Sequence, residues 1–262
     1  MMFRRIIKLL LIFTAVAALN TECFSGGKPL KIYAVNYGKS DFQKRFVFQG
    51  DKSGGTVPFS WTCYYIEYGD RKILIDTGFN DMKMVKMFGI KDFKDPVAIL
   101  KENGIEADMI TDVIITHSHF DHIGNAHRFK NAAFIISRDE LAELNKGKSM
   151  GEVKKFLSGN KNVTQFDESH MLYDMFNIKK IGGHTKGSSV VFFKYDGAEY
   201  CFTSDEAYVG ENVTMNLPIG SSFNPGNNRK FVDMLNKGNY KLFIFHDTKY
   251  AGTKERFIKV FP

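Results

Sequence analysis

The chain has 262 residues, 44% of them hydrophobic, and a formal net charge of +7. That length and apolar content suit one α/β catalytic domain with a full core. The lysine surplus serves solubility: no basic tract with interleaved aromatics marks a nucleic-acid groove, and no internal repeat points to a solenoid.

The first element is a basic start, Arg4, Arg5 and Lys8, followed by an apolar run from Leu9 to Leu19. The run is too short to span a bilayer and matches the hydrophobic region of a secretory signal. This predicts a signal over residues 1–25 and a single domain over 26–262. It also predicts an exported, periplasmic or extracellular protein with no stable membrane insertion once the signal is gone. Glu22 before Cys23 is wrong for the small residue that lipid anchoring wants. Cys63 and Cys201 then remain, inside strand-like runs: an oxidising compartment leaves a disulfide open to them, and two buried free thiols are the favoured reading.

Phe46, Phe48 and Phe59 come next, as candidates for pocket lining beside their ordinary use as core aromatics. Leu74-Ile75-Asp76-Thr77-Gly78 reads as a strand entering a turn. Met82, Met84, Met87 and Phe88 form an apolar stretch suited to a lid or to helix packing. Asp95 to Gly104 has a cap, a proline at the first helical position and a glycine stop, so a helix is predicted there.

Asp112-Val113-Ile114-Ile115-Thr116 is a short buried strand running into His117-Ser118-His119-Phe120-Asp121-His122. In extended chain, positions two apart face the same way, so His117 and His119 converge. Gly124 and Asn125 break the strand pattern, and the turn swings Asp121 and His122 toward a second point nearby. Three imidazoles and a carboxylate crowded here carry a desolvation cost that a metal ion offsets. His127 and His170 lack such company and read as ordinary side chains.

Downstream, His184 sits in a glycine loop before the strand Val190 to Phe193. Asp205 ends the strand from Tyr200, Pro225 to Leu235 is a helix capped by Asn224, and His246 ends the strand from Leu242. Imidazole and carboxylate are ligands that a borderline cation such as Zn²⁺ takes, and a catalytic site needs about three per ion with one position open. His117, His119, Asp121, His122, His184, Asp205 and His246 therefore supply two divalent ions if one carboxylate bridges. Zinc is the default, and manganese, cobalt or iron suit the same donors. A purely structural zinc site would be closed and often cysteine-rich, which this set is not.

His-x-His-x-Asp-His, a Gly-His-Thr loop, a lone Asp and a late His, in that order, resemble the metallo-β-lactamase superfamily of binuclear hydrolases. The resemblance implies an αβ/βα sandwich of two mixed β-sheets with outer helices and metals at one edge. It gives His117, His119 and His184 to the first metal, Asp121, His122 and His246 to the second, and Asp205 to both.

Asp205-Glu206-Ala207-Tyr208, Trp61 to Tyr65, Phe120 within the motif and the closing Lys259 to Pro262 are similar to the N-acyl homoserine lactonase branch. That branch implies quorum-quenching lactone hydrolysis by a bridging hydroxide. Tyr208 would stabilise the oxyanion, Asp121 would return a proton, Asp76 would orient a metal-bound histidine, and Phe120 with Phe48 and Phe59 would contact substrate. The expected partner is a small acyl lactone or ester, and a homodimer is compatible with the sequence. Broader esterases and thioesterases, phosphodiesterases and organophosphate hydrolases on the same scaffold are the alternative. Lys186 and Ser188 depart from the proline and histidine of many relatives.

Overall fold

The computed structural model describes residues 28–250 and 254–262. The expected signal over 1–25 lies outside the described residues. Twelve strands are named here in chain order: β1 Leu30–Gln43, β2 Thr56–Tyr68, β3 Arg71–Ile75, β4 Asp112–Ile115, β5 Ala133–Ser137, β6 Val163–Phe166, β7 Ser169–Leu172, β8 Phe176–Lys180, β9 Ser189–Tyr195, β10 Ala198–Phe202, β11 Tyr240–Phe243 and β12 Phe257–Phe261. They form a seven-stranded sheet ordered β12-β1-β2-β3-β4-β5-β6 and a five-stranded sheet ordered β11-β10-β9-β8-β7.

Both sheets are mixed. β3 to β6 pair in parallel while β1, β2 and β12 are antiparallel, and β10 pairs in parallel with β11 but antiparallel with β9. Strands buried on both faces need apolar residues at every position, which is why β3 to β5 read as continuous apolar runs. Ile73, Ile75 and Ile114 face the second sheet and pack on Ile178, Val191, Phe193 and Phe202. Leu74, Val113 and Ile115 face the other way, onto Val97, Leu100 and Leu144 of the outer helices. On the far side, Val190 and Cys201 pack against Phe231 and Leu235 of the helix Pro225–Lys237. The result is the four-layered αβ/βα sandwich.

The local signals act as their chemistry dictates. Asp95 caps the helix Pro96–Glu102 by accepting from Val97 N, and Gly104 closes the turn at φ 78°. Asn224 caps the helix from Pro225, which runs two residues past the predicted end, to Lys237. Cys63 and Cys201 are both free, buried and in different clusters. No helix among the described residues is long and apolar enough to cross a membrane.

The connection that positions the site is the parallel pairing. β3 and β4 end side by side, and so do β10 and β11. The residues just beyond those four ends, Asp76, His117, Asp205 and His246, therefore meet at one edge of the sandwich.

Candidate metal centre

β4 ends at Ile115, and the chain stays extended to His119 before a single helical turn, Phe120–Ile123. The extension brings His117 Nε2 within 3.1 Å of His119 Nδ1, and the turn places Asp121 and His122 in a second, adjacent group. Gly124 is required there: a Cβ would sit 2.4 Å from Phe120 O and 2.7 Å from Phe79 Cβ.

Two groups of ligand-type atoms result. His117, His119, His184 and Asp205 form one, Asp121, His122 and His246 the other, with each group's atoms within 4.8 Å of one another. Asp205 stands between them. Its Oδ2 is 3.6 Å from His117 Nε2 and 3.4 Å from His184 Nε2, while its Oδ1 is 3.1 Å from His122 Nε2 and 3.0 Å from His246 Nε2.

The tautomers are set from outside the cluster. His184 Nδ1 donates to Ser221 O at 3.0 Å and His246 Nδ1 to Ser60 O at 2.8 Å, because a carbonyl can only accept. His122 Nδ1 lies 2.7 Å from Asp76 Oδ2, and His117 Nδ1 faces the hydroxyls of Thr116 and Ser204. In each case Nε2 is the nitrogen left with a lone pair, and it faces inward. His119 is the exception, presenting Nδ1, 3.0 Å from His184 Nε2.

The donor set fits a pair of divalent cations. His122 Nε2 is buried and hydrogen-bonds nothing, although Asp205 and Asp121 oxygens lie 3.1 and 3.3 Å away. A buried imidazole nitrogen that meets two carboxylates without the geometry of a hydrogen bond to either is placed to share a cation with them. His119 Nδ1 lies 3.1 Å from His117 Nε2 and 3.0 Å from His184 Nε2, and inward nitrogens so close repel unless a cation or proton lies among them.

The electrostatics point the same way. Burial pushes His117 well below the ordinary imidazole range, and brings His184 down to about 4. Burial also opposes charge on His122, but Asp205, Asp121 and Asp76 together outweigh it and hold that imidazole well above its usual range. Asp205 lies well below the usual carboxylate range: burial opposes its ionisation, and His122, His246 and His117 more than offset that. The cluster holds ionised acids and takes up positive charge at its centre.

Beside it opens a cavity of about 380 Å³. Its walls include Phe42, Phe46, Phe59, Trp61, Phe88 and Phe120, and its floor His119, Asp121, His184, Asp205, Tyr208 and His246. Met84 and Met87 of the helix Met82–Met87 complete the wall, so that segment covers the pocket and is helical as well. Of the three phenylalanines expected to contact substrate, Phe59 and Phe120 line this cavity. Phe48 is a correction: it packs half-buried on the core and does not line the cavity. The helical turn Lys44–Val47 breaks the two-residue alternation that would have put Phe46 and Phe48 on one face. His127 and His170 lie outside both groups.

Tyr208 is buried, with its hydroxyl 3.2 Å from His184 Nδ1. Burial and then Asp205 raise it well above the ordinary phenol range, so it keeps its proton at neutral pH. Sequence reasoning missed Phe42 as a wall residue and missed the backbone acceptors Ser60 and Ser221. Carbonyl partners leave no trace in residue type.

A model of the family described as Metallo-beta-lactamase superfamily matches residues 57–244. An N-acyl homoserine lactonase of Bacillus thuringiensis is 24% identical over 251 residues, covering 88% of this chain and 97% of the relative. A solved N-acyl homoserine lactone hydrolase, with the product N-hexanoyl-L-homoserine at its catalytic metal centre, aligns at TM-score 0.70 and 23% identity. That alignment covers 83% of this chain and 93% of the other. AidC, a dizinc quorum-quenching lactonase, aligns at TM-score 0.66 and 17% identity, over 90% and 95% of the two chains. At these identities the structural likenesses carry the fold.

Proposed function

The chain belongs to the metallo-beta-lactamase superfamily of metal-dependent hydrolases, and from that premise we propose that it opens lactone rings at a binuclear centre, with N-acyl homoserine lactones as the substrate class. The observation that carries the reading is Asp205, whose two oxygens face separate imidazole groups across a carboxylate's width. Similarity to lactonases over 88% of the chain supports the substrate class.

His117, His119 and His184 would hold one ion, Asp121, His122 and His246 the other, with Asp205 shared. Zinc is the proposed metal. When bound, the ions would supply a water-derived nucleophile at neutral pH and polarise the carbonyl.

The chain's own side chains do the rest. The apolar wall of Phe42, Phe59, Trp61 and Phe88 takes the acyl chain and excludes water from it. With His184 Nδ1–H given to Ser221 O, the Tyr208 hydroxyl is free to donate to the substrate oxygen as negative charge develops on it. Asp121, on the cavity floor, would take the proton released as the water-derived nucleophile adds to the carbonyl and return it to the alkoxide oxygen freed when the ring opens.

The test is a rate comparison on acyl homoserine lactones of several lengths, a simple thioester and a phosphodiester, each with and without chelator. The proposal expects lactone hydrolysis to be fastest and to vanish on chelation. Faster turnover of the thioester or phosphodiester moves the assignment to that substrate class.

A further inference from the structure

Behind the first imidazole group lie two more carboxylates, Glu140 and Glu206, each fully buried. Among the described residues neither is seen in an ion pair with Lys, Arg or His. Glu140 follows Ser137 at the spacing of an ordinary helix-start motif, Ser-x-x-Glu, in which the glutamate reaches back to the capping residue's N–H. Its side chain goes elsewhere.

Glu140 Oε2 accepts from Ser118 N at 2.8 Å and Ser118 Oγ at 2.7 Å. Oε1 accepts from Gly187 N at 2.8 Å and from the Thr185 hydroxyl. Ser118 sits between His117 and His119, and Thr185 follows His184. One carboxylate thus spans two loops that are distant in sequence, and their imidazoles meet at 3.0 Å, His119 Nδ1 to His184 Nε2.

Glu206 grips the glycine loop from its other side, accepting from Gly183 N, His184 N and Ser188 Oγ. The loop is pressed between the two acids. A Cβ on Gly183 would lie 2.2 Å from Glu206 Oε2, and one on Gly187 would lie 2.3 Å from Ser137 Oγ.

We infer that Glu140 is a positioning residue that joins the two loops into one unit and so sets the spacing of His119 and His184. The inference rests on reading the first group as a cation site. Every partner of Glu140 is an N–H or O–H donor, so both oxygens must accept. A glutamine of equal size would turn an NH₂ against one pair of donors, forcing that loop away. The effect would fall on the first ion, because the acid's hydrogen bonds go to Ser118, Thr185 and Gly187, beside the first group, and none goes to Asp121, His122 or His246.

Cobalt(II) titration of chelator-stripped wild type and Glu140→Gln, followed by visible absorption and chelator competition, tests this. Wild type is expected to take two ions. Glu140→Gln is expected to hold one as wild type does and the other about 10- to 100-fold more weakly, the usual effect of removing a ligand's supporting partner. Wild-type affinity for both ions in folded Glu140→Gln, or equal loss of both, overturns the inference. If Glu140→Gln does not fold, the Ser118→Ala/Thr185→Val double variant is read in the same way; it keeps the acid and removes two donors. Wild type that binds no cobalt overturns the cation-site reading itself, a result distinct from any behaviour of the variants.

Discussion

Asp76 Oδ2 lies 2.7 Å from His122 Nδ1, both side chains are buried, and the same carboxylate takes Thr116 N and the Thr116 hydroxyl. Asp76 stands at φ 62°, a left-handed conformation that Asp and Asn tolerate better than other side chains. The end of β3 is therefore shaped to deliver one acceptor to one imidazole.

Asp76→Asn keeps that backbone and weakens the acceptor. Metal affinity at the Asp121, His122 and His246 group should fall by about 10- to 100-fold, while the other group holds its ion. Competition with a graded series of chelators reads the two affinities separately. Unchanged affinity at both would show that Asp76 serves only the turn.

Tyr208→Phe removes the hydroxyl placed beside His184 and leaves the ring in the cavity floor. Turnover on an acyl lactone should drop about a hundredfold, equivalent to ~3 kcal/mol, with metal content unchanged. A variant with wild-type kcat would take the oxyanion role away from Tyr208.

Met87 is 71% exposed yet lines the cavity, so under the proposed function it would offer apolar contact to an acyl chain and nothing to the reacting atoms. Met87→Ser should raise KM for long acyl chains and leave kcat in place, the mark of binding shared by ground and transition states. Equal effects on short and long chains would place the acyl chain elsewhere.

His184 and His122 give the chelated protein opposite pH responses. The folded His184 value of about 4 is below its ordinary 6.5, so between those values the unfolded chain binds the extra proton and stability falls as pH drops. His122 is raised instead. Its contribution is full below the ordinary value and is lost as pH rises through the folded one. In chelated samples, the thermal stability of wild type relative to His184→Asn should decline as pH falls from about 7 to about 4. A constant difference over that range would contradict the burial of a neutral His184.

Much of this centre is legible in the chain, and the reason is geometric. Strand ends were marked by abrupt changes from apolar runs to single polar residues, and parallel neighbours end together, so Asp205 and His246 could be paired with the His117 cluster before any fold was known. The cavity was less legible. Phe42, Phe46 and Phe48 look alike in sequence, and only the short helical turn decides which of them faces the pocket. Glu140 was hidden more thoroughly, because its spacing from Ser137 already has a common local explanation. A buried carboxylate with distant partners has no sequence signature of its own.

The most direct test is the rate of acyl homoserine lactone ring opening as stripped protein is reloaded with zinc, measured against bound equivalents per chain. The account predicts no turnover without metal and full turnover as the second equivalent binds. Ring opening by fully stripped protein, or none with both equivalents bound, would contradict it.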